Sequence, residues 1–132
     1  MTLSYGHSYT GNALACAAAR ASLKLFETER VLESLSAKIA QLTSSLKQIR
    51  SLKLVNEVRQ CGFMVGIEVD NDSDDDRLGA RVCIAARKYG LLTRPIRNVI
   101  VLMPPFCITA DQLRQAIDAI SNAIVEVCGS AK

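Results

Sequence analysis

The 132-residue sequence has one histidine, His7, and no C-x-x-C pair among its five cysteines. A single imidazole excludes a multi-histidine metal site and a histidine-paired acid–base couple built within the chain. The cysteines, at positions 16, 61, 83, 107 and 128, are odd in number and each sits among apolar or small residues. That pattern leads to an expectation of reduced, buried thiols in a cytoplasmic compartment, and nothing near them marks a depressed thiol pKa. No apolar run reaches the roughly eighteen residues of a membrane span. The first residues also lack the charged start and apolar stretch of a secretory signal. A dominant charge of one sign is missing too: the net charge is +3, with basic residues scattered among acidic ones. No nucleic acid and no anionic membrane is therefore implied as a partner.

The chain does have enough length for one ordinary domain with its own core. Residues 12–26 are rich in alanine and read as a helix, with Leu14, Ala18, Ala21 and Leu25 on one face. Thr28 and Glu29 read as the cap and acidic first turn of a second helix, in which Leu32, Leu35, Ile39, Leu42, Leu46 and Ile49 repeat at threes and fours. Lys38, Gln41, Ser45 and Gln48 fall on the opposite, solvent-facing side. A coiled-coil seam shares this period, but the e and g charge pattern is absent, which favours a helix laid on a sheet.

Valine-rich and aromatic runs at 54–59 and 63–69, separated by a turn or bulge at Cys61-Gly62, read as two strands. "DNDSDDD", residues 70–76, lacks the central glycine and terminal glutamate of a calcium-binding EF-hand loop and reads as a solvated loop. A helix follows over 77–89 with Leu78, Val82, Ala85 and Tyr89 inward, stopped by Gly90. A short strand ending near Arg94, a turn over 95–98 and a strand over 99–102 come next, closed by Pro104-Pro105. Thr109 and Gln112 form a capping box for a last helix with Leu113, Ile117, Ile120 and Ile124 inward. The fold class is α/β in the α+β sense, with helices packed on a small antiparallel or mixed sheet.

Two places could carry chemistry. Residues 6–12, "GHSYTGN", combine two glycines, which allow close backbone approach, with the Ser8 and Thr10 hydroxyls ahead of a helix. Those are the attributes of a phosphate cradle, though the lysine of a P-loop is absent and a plain helix-entry loop has the same composition. Arg94, beside Pro95, is either a surface ion-pair partner or a planar fork for a carboxylate.

"YGHSYTGNALACAAA", "CGFMVGIEV" and "GLLTRP…NVIVLMPPFCIT…QL", in that order and spacing, resemble the C-terminal portion of class III pyridoxal-phosphate-dependent aminotransferases. The similarity spans nearly the whole chain and is most specific in "GHSYTGN" and "LMPPFCIT". The resemblance implies the C-terminal small domain of a fold-type I transferase, with residues 1–27 ending the large cofactor domain and residues 28–132 forming the small one. It implies a homodimer whose cofactor site is shared across the interface, Ser8 meeting the phosphate of pyridoxal phosphate and His7 and Tyr9 lining the site. Ser8 stands where the family usually has threonine, and Ala13 where many members have proline. Arg94 is implied to bind the substrate carboxylate. Within the class the sequence is most similar to members of biotin biosynthesis, so 8-amino-7-oxononanoate and a small amino donor are the expected substrates. Val101 stands where members using S-adenosylmethionine often carry tyrosine, which leaves lysine open as the donor.

The family's Schiff-base lysine lies upstream of the matched segment, and none of Lys24, Lys38, Lys47, Lys53, Lys88 and Lys132 stands in its context. A C-terminal fragment, inactive as an isolated chain, is the resulting expectation. Two other readings stay open: an ornithine or ω-amino acid aminotransferase, and a noncatalytic fragment that dimerises through residues 6–26.

Overall fold

Alternating apolar residues build the sheet. The computed structural model describes residues 6, 8, 10–69 and 77–129. Strands β1 (Val55–Cys61), β2 (Met64–Val69), β3 (Arg94–Ile96) and β4 (Val99–Leu102) make one antiparallel sheet in the order β1-β2-β4-β3. Side chains two apart share a face, and here Val65, Ile67, Val69, Ile100 and Leu102 are the buried set. The α-helices are α1 (Ala13–Thr28), α2 (Val31–Arg50), α3 (Leu78–Ala86) and α4 (Ala110–Gly129). Leu42, Leu46 and Ile49 of α2, Val82 of α3, and Leu113, Ile117, Ile120 and Ile124 of α4 are fully buried with Ile67 and Ile100. Each such side chain contributes roughly 1.5–3 kcal/mol by leaving water.

The chain divides into two compact units, Met1–Leu35 and Ser36–Lys132. In the first, Asn12 caps α1, its side-chain oxygen accepting from the Ala15 N–H at 2.9 Å. No described residue of α1 is buried; Leu14, on the face expected to pack, is 83% exposed. Thr28 is not the cap of α2: it still belongs to α1, and its hydroxyl donates back to the Lys24 carbonyl at 3.0 Å. The reversal passes through Glu29 and Arg30, the latter at φ +48°, and α2 begins at Val31. Leu32, placed in the buried stripe by its spacing, is 65% exposed.

In the second unit the face of α2 expected to be wet is exposed at Gln48 but half-buried at Lys38, Gln41 and Ser45, and it carries polar bonds to distant segments. Lys38 donates to the Phe106 carbonyl at 2.7 Å, Gln41 to the Ala110 carbonyl at 2.8 Å and Gln48 to Asp118 at 3.2 Å. Period alone assigns such residues to solvent, because it cannot see a second helix end approaching. The first hairpin turns at Gly62-Phe63, one residue later than expected, with Cys61 opposite Met64 and Gly62 at φ +56°. Glycine adopts that conformation without a Cβ clash.

The second hairpin also departs from expectation. Arg94 opens β3 where a strand end was expected, and only Arg97 and Asn98 remain for the turn, since Ile96 pairs with Val99. Pro95 is tolerated inside β3 because that strand lies on the sheet edge, where one side needs no donor. Arg97 takes φ +53°. A Cβ on Gly79 of α3 would overlap the Arg97 carbonyl oxygen, and the Gly79 N–H donates to the Asn98 side chain at 3.2 Å. The Asn98 carbonyl accepts from the Val69 N–H at 3.0 Å, so one residue ties the turn to both β2 and α3.

The capping box at the start of α4 forms as expected, the Thr109 N–H donating to Gln112 Oε1 at 3.0 Å and the Gln112 N–H to Thr109 Oγ1 at 3.2 Å. Helix α3 passes into a short 3₁₀ turn, Arg87–Tyr89, ended by Gly90 at φ +82°. Tyr89 is not inward: it is exposed and donates to Glu126, whose other oxygen pairs with Lys88. The cysteines divide as well. Cys83 and Cys128 are buried, and burial pushes their thiols up, whereas Cys16, Cys61 and Cys107 are exposed, against the expectation of five buried thiols. The acidic stretch 70–76 lies outside the described residues.

Candidate functional site

Strand β3 delivers Arg94 to the wall of a cleft of about 550 Å³. Its other walls are aliphatic, including Leu91, Leu92, Val101, Met103, Pro104 and Ile108. The cleft exists because β3 is a short edge strand and the Pro104-Pro105 step ends β4 pairing, so the chain leaves the sheet on both sides of Arg94. Arg94 is exposed, and its side chain makes no ion pair or hydrogen bond with a described residue. Other described arginines are engaged: Arg59 with Glu57 and Glu68, and Arg114 with Asp111. Among the described residues, the surface ion pair that was the competing reading of Arg94 is not formed. An unspent guanidinium above aliphatic walls can bind one carboxylate bidentately while the rest of the molecule meets an apolar surface.

Opposite Arg94 in the ladder stands Val101, which lines the same cleft. Thr93, one residue earlier, donates its hydroxyl to the Val101 carbonyl. Sequence reasoning passed over Thr93. Its only signal was a β-branched residue with a hydroxyl beside the candidate arginine, a weak one without the register.

The other candidate place belongs to the first compact unit. Ser8 lies in a turn and is exposed, as is Thr10, and Gly11 takes φ +76° ahead of the Asn12 cap. A Cβ at Gly6 or Gly11 would meet nothing within 4 Å, and the first turn of α1 contains no acidic residue. Two glycines, the exposed Ser8 and a first helical turn without an acidic residue fit a phosphate group. His7 and Tyr9 lie outside the described residues. Of the lysines, Lys38 is bound to the Phe106 carbonyl and Lys88 to Glu126.

The aminotransferase class-III family model matches residues 1–124. An adenosylmethionine-8-amino-7-oxononanoate aminotransferase of Geobacter sulfurreducens is 42% identical over 97% of the chain, and one of Nitratidesulfovibrio vulgaris 43% identical over 96%. The crystal structure of the enzyme of that name from Methanocaldococcus jannaschii superimposes with a TM-score of 0.89 at 40% identity, over 96% of the chain. The chain spans only 30%, 24% and 30% of these three proteins, respectively. That likeness agrees with the four-stranded antiparallel sheet and its helices as an aminotransferase domain.

Proposed function

The chain belongs to the class-III aminotransferase family, and on that premise we propose that it is the C-terminal part of a pyridoxal-phosphate-dependent transaminase converting 8-amino-7-oxononanoate to 7,8-diaminononanoate in biotin biosynthesis. The observation that carries the proposal is Arg94, a cation with no ion-pair partner among the described residues, on the wall of an aliphatic cleft, in a chain 42% identical to a relative named for that substrate. The substrate has a carboxylate at the end of an aliphatic chain, and the cleft offers both halves of that recognition.

In this reading Arg94 binds the carboxylate with its two-pronged fork and so fixes the far end of the substrate. Leu92, Val101 and Met103 exclude water along the methylene chain. The Ser8 hydroxyl and N–H hold the cofactor phosphate of the partner subunit in a homodimer, with His7 and Tyr9 beside it. Pyridoxal phosphate, when bound, supplies an electron sink for the carbon that gives up or receives the amino group. Residues 1–27 form the end of the large domain and residues 28–132 the small domain. The cofactor-bearing lysine stands upstream of the matched segment, as the family resemblance implies, and among the described residues no lysine lines the Arg94 cleft. The isolated chain is therefore inactive, and its place of work is the cytoplasm.

The test is a titration of the ¹⁵N-labelled chain with hexanoate and, separately, with its neutral amide. Hexanoate should shift residues 91–94 and 101–105 saturably and bind more tightly than hexanamide. Arg94→Gln should weaken hexanoate about tenfold or more, the usual cost of a lost charge-assisted pair, and leave the amide unchanged. Equal binding of acid and amide by the unaltered chain would overturn the assignment of Arg94.

A further inference from the structure

The ladder between β3 and β4 begins at Arg94 opposite Val101. No backbone pair precedes it, so the side chain most in need of a fixed base stands on the first residue of a three-residue edge strand. Such an end frays unless something beyond it is tied down. Thr93 provides that tie: its half-buried hydroxyl donates to the carbonyl of Val101, the residue facing Arg94. Thr93 and Val101 both line the cleft that Arg94 enters. A β-branched residue is also stiff at χ1, which keeps the hydroxyl aimed at that carbonyl.

We propose that Thr93 is a positioning residue for carboxylate recognition. Its bond to Val101 extends the pairing one residue past Arg94 and holds the guanidinium's base in place before a ligand arrives. This rests on the reading of Arg94 given above. Thr93 need not touch the ligand; it acts through Arg94 by removing the ordering cost that binding would otherwise incur.

The experiment repeats the hexanoate and hexanamide titrations on Thr93→Val, which keeps the shape and removes the hydroxyl, and on Thr93→Ser, which restores it. Thr93→Ala, without the second branch, covers a valine variant that folds poorly. Hexanoate affinity should fall roughly three- to tenfold in Thr93→Val, the range of one lost hydrogen bond, with hexanamide affinity unchanged. Thr93→Ser should stay within about twofold of the unaltered chain. In an Arg94→Gln background, Thr93→Val should have no further effect, since there is no guanidinium left to position. An unchanged hexanoate affinity in both Thr93→Val and Thr93→Ala, while Arg94→Gln still loses it, would overturn the proposal and leave Arg94 standing. Equal losses for acid and amide would overturn it in favour of a general change in cleft shape. If Arg94→Gln itself costs nothing, both readings fall together.

Discussion

Gly79→Ala is the substitution whose cost the structure defines most sharply. The added Cβ would overlap the Arg97 carbonyl oxygen and stand 3.0 Å from the Asn98 Cα, both backbone atoms that no rotamer change can move. The turn between β3 and β4 must then shift away from α3. Forced overpacking of this kind costs about 1–3 kcal/mol. The shift also endangers the bonds of Asn98 to the Gly79 and Val69 N–H groups, at 3.2 and 3.0 Å, each worth about 1 kcal/mol net. Alanine recovers about 1 kcal/mol of helix propensity at a helical position. With one of those bonds lost, the balance is a destabilisation of about 1–3 kcal/mol, and a urea midpoint lower by on the order of 1 M. Gly129→Ala is the control: its Cβ meets only Val125 at 4.0 Å, an ordinary contact, and stability should hold or rise slightly. A Gly79→Ala chain unfolding within about 0.5 kcal/mol of the unaltered one would refute the close approach. Because the displaced hairpin carries Arg94, hexanoate binding should weaken in parallel.

Thiol labelling under native conditions should modify Cys16, Cys61 and Cys107 quickly, and Cys83 and Cys128 only on unfolding; five fast thiols by mass spectrometry would contradict the burial of the last two. Thr109→Ala removes the reciprocal cap of α4 and should cost about 1 kcal/mol in the same urea experiment. The Lys88–Glu126–Tyr89 cluster predicts a pH profile. Hydrogen bonds from Lys88 and Tyr89 hold the Glu126 carboxyl below its ordinary 4.5, so its contribution is present above that pH and is lost as pH falls through the lower folded-state value. The hydrogen bond to Glu126 raises Lys88 from 10.5 and Tyr89 from 10.0, so their contributions hold below those values and vanish as pH rises through the higher ones. Denaturation across pH should therefore show that Glu126→Gln is less stable only between the two limits, and less so in high salt.

Long periodic elements were legible because their signal is local. The apolar repeat of α4 and the Thr109–Gln112 box come from residues three and four apart, and the structure keeps both. Antiparallel strands could be placed to within a residue or two by alternation, but the hairpin ends slipped, because a turn is decided by pairing across it. Arg94 thus moved from a strand's end to another strand's start. Thr28 looked like an N-cap by composition, yet a hydroxyl can equally bond back to the carbonyl four residues earlier, and here it does. Lys38 and Gln41 read as solvent-facing because their partners, Phe106 and Ala110, are almost seventy residues away in sequence. Arg94 was singled out by resemblance, whereas the cleft around it and the Thr93 tie were not visible in the sequence. Both depend on which residue of β4 faces which residue of β3, a fact of register that composition does not encode.

The proposed function requires the cofactor-bearing lysine to lie outside this chain, and reduction with borohydride tests this directly. The purified chain is incubated with pyridoxal phosphate and reduced, and pyridoxyl-lysines are mapped by mass spectrometry. Scattered, substoichiometric labelling over the exposed lysines is the predicted result, with the chain supplying Ser8 and Arg94 to a site completed elsewhere. A single stoichiometric adduct on one of its six lysines would show that the chain builds its own cofactor site, and would contradict the account.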